Sequence, residues 1–226
     1  MTFVRTLRVF AAAAVLSLVA VAGARAWTNG FSSLPAGTCF MDGQVFGPWM
    51  SLYGGYGCTQ IAPINGNYTL VERPYISTNP DETHASLVTG PKFTGDINYK
   101  VWVYTNKQLR ISSAPNPWEV AWVVWNYTDD DHFYYFVPKP NGWELGKEDP
   151  AYPGSQRYLK TGTNYKFPIG KWYKVRIIQT NATIQVFVND ILITTYTDTQ
   201  RPYKAGKIGM YNEDAEVYFD KVDTIP

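Results

Sequence analysis

The sequence lacks an excess of charge of either sign: its 20 Lys and Arg side chains are balanced by 19 Asp and Glu side chains. The basic residues are scattered along the chain, whereas a surface that binds nucleic acid needs them clustered in a stripe or patch. We therefore expect neither nucleic acid nor an anionic membrane surface as a partner.

Long hydrophobic runs are also scarce, and the one that is present lies near the N-terminus, at Val9–Val21. Basic residues precede this run, and a small-x-small motif follows it at 24–26. These features predict a secretory signal peptide over residues 1–26, cleaved before Trp27. The run is shorter than the roughly 20 residues that a membrane-spanning helix needs. We therefore expect a secreted chain, extracellular or periplasmic, whose mature form does not insert into a membrane.

Cysteine and histidine are rare, with two of each. In an exported chain, one close pair of cysteines, Cys39 and Cys58, is expected to form a single disulfide. Neither histidine is close enough in sequence to suggest a catalytic thiol, and no Cys/His spacing suits zinc. The disulfide is expected to close an irregular N-terminal segment, 27–66, that packs on the main domain.

After the signal peptide the sequence offers no convincing helix, whereas alternation of apolar and polar residues is frequent. Such alternation has the period of a strand that is buried on one face. From Gly170 to Val222 it predicts one uninterrupted β-meander, with Asn189 and Asp190 as the turn of a hairpin.

Strands are predicted upstream of this meander as well. Residues 118–127 are apolar or aromatic on both faces, which is typical of a central strand covered on both sides. Residues 132–137 predict the next strand, and 138–165 read as a long loop, which in compact domains is usually functional or flexible. The chain is thus predicted to be all-β, with a single domain over 67–226.

Three short strings in the predicted meander carry a resemblance to known proteins. Residues 186–190 read VFVND, 206–210 read GKIGM and 219–222 read FDKV. In this order they resemble strands of the concanavalin A-like lectin/glucanase superfamily, and more narrowly those of laminin-G-like modules and bacterial 3-keto-disaccharide hydrolase domains. The resemblance implies a jelly roll, in which two antiparallel sheets pack face to face as a β-sandwich. Because this fold hosts many activities, function has to be argued from the site.

Aromatic residues make up 16% of the chain, and flat aromatic surfaces commonly stack on sugar rings. Together with the resemblance, this favours a protein that binds a polysaccharide or oligosaccharide through an aromatic concave face and a Trp/Glu/Lys loop at 139–158. Trp125 is expected beside the other tryptophans of that face. The predicted ligand-binding residues are Trp102, Trp118, Glu119, Trp122, Trp143, Glu144, Lys147 and Arg157.

A saccharide-active enzyme is the first alternative. Glycoside hydrolysis uses two carboxylates that face each other across a cleft. Glu119, which interrupts an aromatic strand, and Glu144 are the candidate catalytic residues. A polysaccharide lyase is less favoured, because the sequence strings of the alginate-lyase type are missing from the chain. The sequence leaves open whether there is any turnover.

A calcium-dependent adhesion or structural module is the second alternative. Ca²⁺ takes hard oxygen ligands, which acidic turns supply, and the jelly-roll relatives often hold such an ion near the rim of a sheet. The candidate ligands are Asp129, Asp131, Asp214 and Asp220. Calcium is the only cofactor that the sequence suggests.

Overall fold

The structure is a computed structural model that describes residues 26–225. The signal peptide predicted at 1–26 therefore lies outside the described residues, apart from its last residue. Within 26–225, no helix is long and apolar enough to cross a bilayer.

The described chain is built from strands joined by short turns. In chain order they are β1 (Trp27–Asn29), β2 (Val45–Phe46), β3 (Trp49–Gly54), β4 (Cys58–Ile64), β5 (Asn67–Arg73), β6 (Ala85–Thr94), β7 (Ile97–Gln108), β8 (Ala121–Asp129), β9 (His132–Lys139), β10 (Gly142–Glu148), β11 (Gln156–Gly162), β12 (Trp172–Thr180), β13 (Thr183–Val188), β14 (Ile191–Thr197), β15 (Ala205–Glu213) and β16 (Ala215–Thr224).

These strands form two antiparallel sheets of eight strands each, packed as a sandwich. The first sheet has the order β14-β13-β12-β7-β16-β5-β4, and β1 also pairs with β16. The second sheet has the order β11-β10-β9-β8-β15-β6-β3-β2. The predicted fold class is confirmed.

The main core lies between the sheets and follows from period-2 alternation. On β7, Tyr99, Val101 and Val103 are buried in this core, and the residues between them are only partly buried. On β8 both faces are buried, as predicted: Trp125 belongs to the main core, whereas Trp122 belongs to a second apolar cluster. Because these side chains point into the core, the side chains between them on the same strand point to the outer face of the sheet.

The predicted C-terminal meander is only partly present. Strands β12, β13 and β14 do form a meander, and the Asn189-Asp190 turn is confirmed, with both residues at positive φ (50° and 67°). Strand β15, however, lies in the second sheet between β8 and β6, and β16 returns to the first sheet between β7 and β5. A single residue, Asp214, connects β15 to β16. Alternation identifies a strand without specifying its neighbours, which is why the sequence suggested an uninterrupted meander.

The N-terminal segment differs from the prediction as well. The Cys39–Cys58 disulfide is confirmed, with the two Cα atoms 5.2 Å apart. Residues 27–66, predicted to be irregular, contain β1 to β4, and these strands extend both sheets. Strands of two to seven residues are too short to show a clear period in the sequence. A domain boundary at residue 67 stays a prediction.

Candidate functional site

The outer face of the second sheet, which points away from the main core, is unusually aromatic. Antiparallel sheets commonly present polar residues on an outer face, so an apolar one marks a candidate binding surface. We call this set of side chains the outer aromatic face. It consists of Leu87, Val120, Trp122, Val124, Tyr127, Phe133, Tyr135 and Val137, with Leu52, Tyr53 and Tyr211 packed against them.

The hairpin β10–β11 forms one side of this face. Its residues lie in the region predicted to be a loop, 138–165, and that prediction is corrected by the regular pairing of β10 with β9 and β11. Gly146 faces outward, because a Cβ atom placed there would lie 2.2 Å from the Tyr135 hydroxyl group. By alternation, Glu144 and Glu148 share this outward side and lie about 7 Å from Gly146 along the strand.

A cavity of about 140 Å³ opens on this side of the sheet. Trp118 and Tyr158 are exposed, at 39% and 56%, whereas Trp122 is buried. Indole and phenol rings offer flat apolar surfaces, and the carboxylates and the amide can fix the orientation of a polar ligand. We call this cavity the second-sheet pocket. Its lining residues are Trp118, Trp122, Glu144, Gln156, Tyr158 and Glu213.

Three carboxyl groups on this side differ in their electrostatics. Glu144 is paired with the ammonium group of Lys139. The pKa of Glu148 is raised to about 7, first by burial and then by the nearby charges of Asp131 and Glu213. Burial also raises the pKa of Glu213, although its Oε1 accepts a hydrogen bond from the Tyr211 hydroxyl at 2.8 Å. This side of the sheet therefore offers an ion-paired carboxylate, Glu144, and two carboxyl groups, Glu148 and Glu213, whose pKa values burial raises.

The structure brings together three of the residues that the sequence singled out, Trp118, Trp122 and Glu144. Trp102 lies in the first sheet and is therefore remote from this pocket. Trp125, expected beside the other tryptophans, lies in the main core, where its indole N–H donates to Gln179 at 2.8 Å.

Trp143, Lys147 and Arg157 lie on the other side of the hairpin, whereas the sequence predicted them at the ligand edge, and their part in ligand binding stays a prediction. Trp143 belongs to the main core, and alternation places Lys147 on the same side of β10. Lys147 is fully buried and donates to Asp198 at 2.8 Å. Arg157 pairs with Lys147 across the hairpin, and its guanidinium group is 3.7 Å from Asp198. Because successive side chains of a strand point to opposite faces, residues 143 and 147 point toward the core when residue 144 points outward.

Glu119, a candidate catalytic residue, is fully buried in an ion pair. One of its oxygens accepts hydrogen bonds from Arg110 Nε at 2.7 Å and from Asn116 Nδ2 at 2.9 Å. The same guanidinium group donates to Asp214 at 2.6 Å. Glu119 does not line the second-sheet pocket, and its contacts are those of a residue that holds neighbouring segments together.

Three residues that line the pocket were missed by the predicted set: Gln156, Tyr158 and Glu213. Two of them carried a signal, because Gln156 and Tyr158 are two residues apart on one strand and so share a side. Glu213 carried no such signal, since it reaches the pocket only because β15 joins the second sheet. Glu148, which alternation places on the same side of β10 as Glu144, does not line the pocket.

The predicted calcium ligands do not converge. Asp214 accepts hydrogen bonds from Arg110 and Ser77, and Asp129 accepts from the backbone N–H of Asp131. Asp220 lies in the first sheet, on β16. Among residues 26–225, no three His, Cys, Asp or Glu side chains are arranged to hold a metal ion. The four predicted ligands therefore do not form one calcium site.

The two packed antiparallel sheets define the chain as a β-sandwich. Residues 81–224 match the 3-keto-alpha-glucoside-1,2-lyase-like domain, and the chain belongs to that family. No curated protein matches the chain.

Solved structures that share the fold have low sequence identity to this chain. The carbohydrate-binding module CBM66 from Bacillus subtilis is 13% identical with a TM-score of 0.56, over 77% of this chain and 93% of the module. A Bacillus subtilis protein of unknown function with a galectin-like fold is 12% identical with a TM-score of 0.55, over 84% and 97% of the two chains. The apo Crh5 transglycosylase is 10% identical with a TM-score of 0.53, over 89% and 84%. At these identities the similarity concerns the fold.

Proposed function

We propose that this chain recognises a saccharide in the second-sheet pocket, as a secreted carbohydrate-binding protein. The observation that carries the proposal is the combination, in one cavity, of Trp118 and Trp122 with the carboxyl groups of Glu144 and Glu213. The Cys39–Cys58 disulfide supports an oxidising, extracytoplasmic location. The fold of a carbohydrate-binding module, shared at low identity, is consistent with this function.

The chemistry of the pocket suits a neutral sugar. A sugar ring has an apolar face, formed by C–H groups, that can lie against the indole rings of Trp118 and Trp122. Its hydroxyl groups can donate to the carboxylate of Glu144, and such charge-assisted hydrogen bonds are stronger than neutral ones. The lining residues of the pocket include no Lys, Arg or His that would pair with an anionic sugar.

Binding should depend on Trp118, which is exposed enough to be changed without loss of the fold. Trp118→Ala is expected to weaken retention on immobilised oligosaccharides by about tenfold or more, because central aromatic anchors dominate binding energy. Glu144→Gln should weaken it as well, by removing the charged acceptor. An array of neutral oligosaccharides, read as bound protein against concentration, measures both effects.

Tyr152→Ala is the matched control, since Tyr152 is 45% exposed and does not line the pocket. It should bind as the wild type does. The proposal fails if the wild type is retained by none of the oligosaccharides, or if Trp118→Ala is retained as well as the wild type.

A saccharide-active enzyme is a second candidate function, favoured by the raised pKa of Glu148, at about 7. A 1,2-elimination from a 3-keto-α-glucoside, the chemistry in the family's name, begins at C2, whose proton is acidified by the C3 carbonyl group. Glu148 as carboxylate would take this proton, the C1–C2 double bond would form and the C1–O bond would break. Glu213 as carboxylic acid would protonate the leaving oxygen. A general base whose pKa lies near the working pH is suited to such a step.

This second function predicts a pH dependence. Glu148 has to be deprotonated to act as a base, so the rate of aglycone release should rise as pH increases through about 7. Glu148→Gln should lower the rate by a factor of about 100 or more. The measurement is single-turnover release of the aglycone from a 3-keto-α-glucoside between pH 5 and pH 9, with buffer alone as background.

Glu82→Gln serves as the control, because Glu82 is a partly exposed carboxylate outside the pocket. No release above background by the wild type would leave binding as the sole proposed function. An unchanged rate in Glu148→Gln would remove Glu148 from the mechanism.

A further inference from the structure

The outer face of the first sheet also carries aromatic side chains, and they form a row. Trp172 pairs with Tyr104, and Tyr104 pairs with Tyr218, so the row crosses β12, β7 and β16. The ring centroids are 5.2 Å apart for the first pair and 5.4 Å apart for the second, whose rings are nearly parallel. On β7, Val101 and Val103 face the core, so alternation turns Tyr104 and Trp102 away from it.

A β-bulge in β16 adds polar groups at one end of this row. The pairing of β16 with β7 shifts register between Asp220 and Asp223, and Lys221 has a φ of 50°. In a regular strand, Asp220 and Lys221 would point to opposite faces. The bulge brings both into one pocket, and Lys221 Nζ lies 5.4 Å from the centre of the Trp102 ring. Bulges commonly re-aim side chains in this way at functional sites.

The pocket beside the bulge has a volume of about 150 Å³. Trp102 and Trp172 provide flat apolar walls, the β4–β5 turn contributes the amides of Asn65 and Asn67, and β16 contributes a carboxyl group and an ammonium group. We call this cavity the first-sheet pocket. Its lining residues are Ile64, Asn65, Asn67, Trp102, Trp172, Asp220 and Lys221.

We propose that the first-sheet pocket is a second saccharide-binding site, which holds one sugar of a neutral polysaccharide while the next sugar lies against Tyr104. Its polar groups are one acid, one base and two amides, so the pocket has no net charge and can both donate to and accept from hydroxyl groups. The site lies on the sheet opposite the second-sheet pocket. The protein would thus hold two chains, one on each outer face.

Affinity electrophoresis tests this site. The wild type and the variants are run in native gels that contain a starch-type α-glucan, a mixed-linkage β-glucan, xyloglucan or galactomannan, and the retardation gives an affinity for each. Asp220→Asn keeps the shape of the side chain and is expected to weaken retardation by about tenfold for the polysaccharide that this pocket binds. Trp172→Ala should have at least the same effect.

Asp223→Asn is the matched control, because it removes the same charge from the same strand, where Asp223 pairs with Lys100 at 2.6 Å outside the pocket. It should migrate as the wild type does. Unchanged retardation of both Asp220→Asn and Trp172→Ala in all four gels would overturn the second site, as would a wild type that none of the polysaccharides retards.

The same gels separate this inference from the proposed function. If Trp118→Ala and Glu144→Gln weaken retardation whereas Asp220→Asn and Trp172→Ala do not, the second-sheet pocket stands and the first-sheet pocket is overturned. The reverse pattern upholds the first-sheet pocket and removes the proposed function from the second sheet.

Discussion

Replacing Arg110 by methionine should lower the free energy of unfolding by about 3–5 kcal/mol, the usual cost of removing one partner of a buried ion pair. The guanidinium group is buried and donates to Glu119 at 2.7 Å and to Asp214 at 2.6 Å. It also donates to the backbone carbonyls of Asn79 and Glu82. Methionine fills much of the volume but leaves two buried carboxylates and these carbonyls without their donor.

Urea unfolding followed by tryptophan fluorescence measures this loss. Arg73→Met is the comparison: Arg73 pairs with the buried Glu216 at 2.6 Å, its own side chain is half exposed, and Glu216 keeps hydrogen bonds from Asn106 and Tyr218. Its removal should therefore cost less than the removal of Arg110. A loss below about 1 kcal/mol for Arg110→Met would contradict a structural role for the Arg110 network, and Glu119 would again deserve testing as a catalytic residue.

Lys147→Met is expected to have an effect of similar size, about 3–5 kcal/mol. The ammonium group is fully buried, and it donates to Asp198 at 2.8 Å and to the backbone carbonyls of Gln200 and Arg201 at 2.6 and 3.1 Å. Without it, the carboxylate of Asp198 would stay buried, with the Tyr134 hydroxyl as a remaining donor at 2.7 Å. Most of the cost is therefore the cost of a buried carboxylate that keeps only the more distant Arg157 guanidinium group, at 3.7 Å, as a cationic partner.

A second change tests this explanation. Adding Asp198→Asn to Lys147→Met removes the charge of the buried carboxylate and should recover a large part of the lost stability. Lys174→Met is the control: Lys174 pairs with the exposed Asp190, so this change should cost little. Affinity for saccharides should stay within about twofold in folded Lys147→Met, because Lys147 lies on the core-facing side of β10. A tenfold loss of affinity at unchanged stability would instead make Lys147 a ligand-binding residue, as the sequence suggested.

The buried networks of Arg110 and Lys147 show which parts of the fold could be predicted from the sequence and which could not. Local alternation was enough to identify β12 to β14, because a strand with one buried face has a period of two, and continuous apolarity identified β8, which is buried on both faces. Alternation failed on β10, where the buried Lys147 interrupts the apolar pattern and made a regular strand look like a loop. Charged residues are buried only with partners, and the partner, Asp198, is 51 residues away in sequence.

The candidate site, like the fold, could be predicted only in part from the sequence. Trp118, Trp122 and Glu144 could be selected by residue type, since tryptophan and carboxylate are the groups that sugars need. The side of the sheet on which Glu144 lies followed from alternation only once β10 was known to be a strand. Glu213 could not be placed, because its position depends on β15 pairing with β8 and β6, a choice made by the packing of the whole sandwich.

The crossing of the chain at Asp214 has a consequence for the order in which the molecule can be assembled. Strand β15 occupies an interior position in the second sheet and β16 occupies one in the first, and both follow the other described strands in chain order. Until they emerge, β8 has no contact with β6 in the second sheet, and β7 has none with β5 in the first, so each half-built sheet exposes open edges to water and to other chains. Both pockets are also incomplete without this segment, because it supplies Glu213 to the second-sheet pocket and Asp220 and Lys221 to the first-sheet pocket. A nascent chain of this protein should therefore behave as an unfolded client of chaperones until residues 205–224 have emerged, and gain both of its binding faces in the same step.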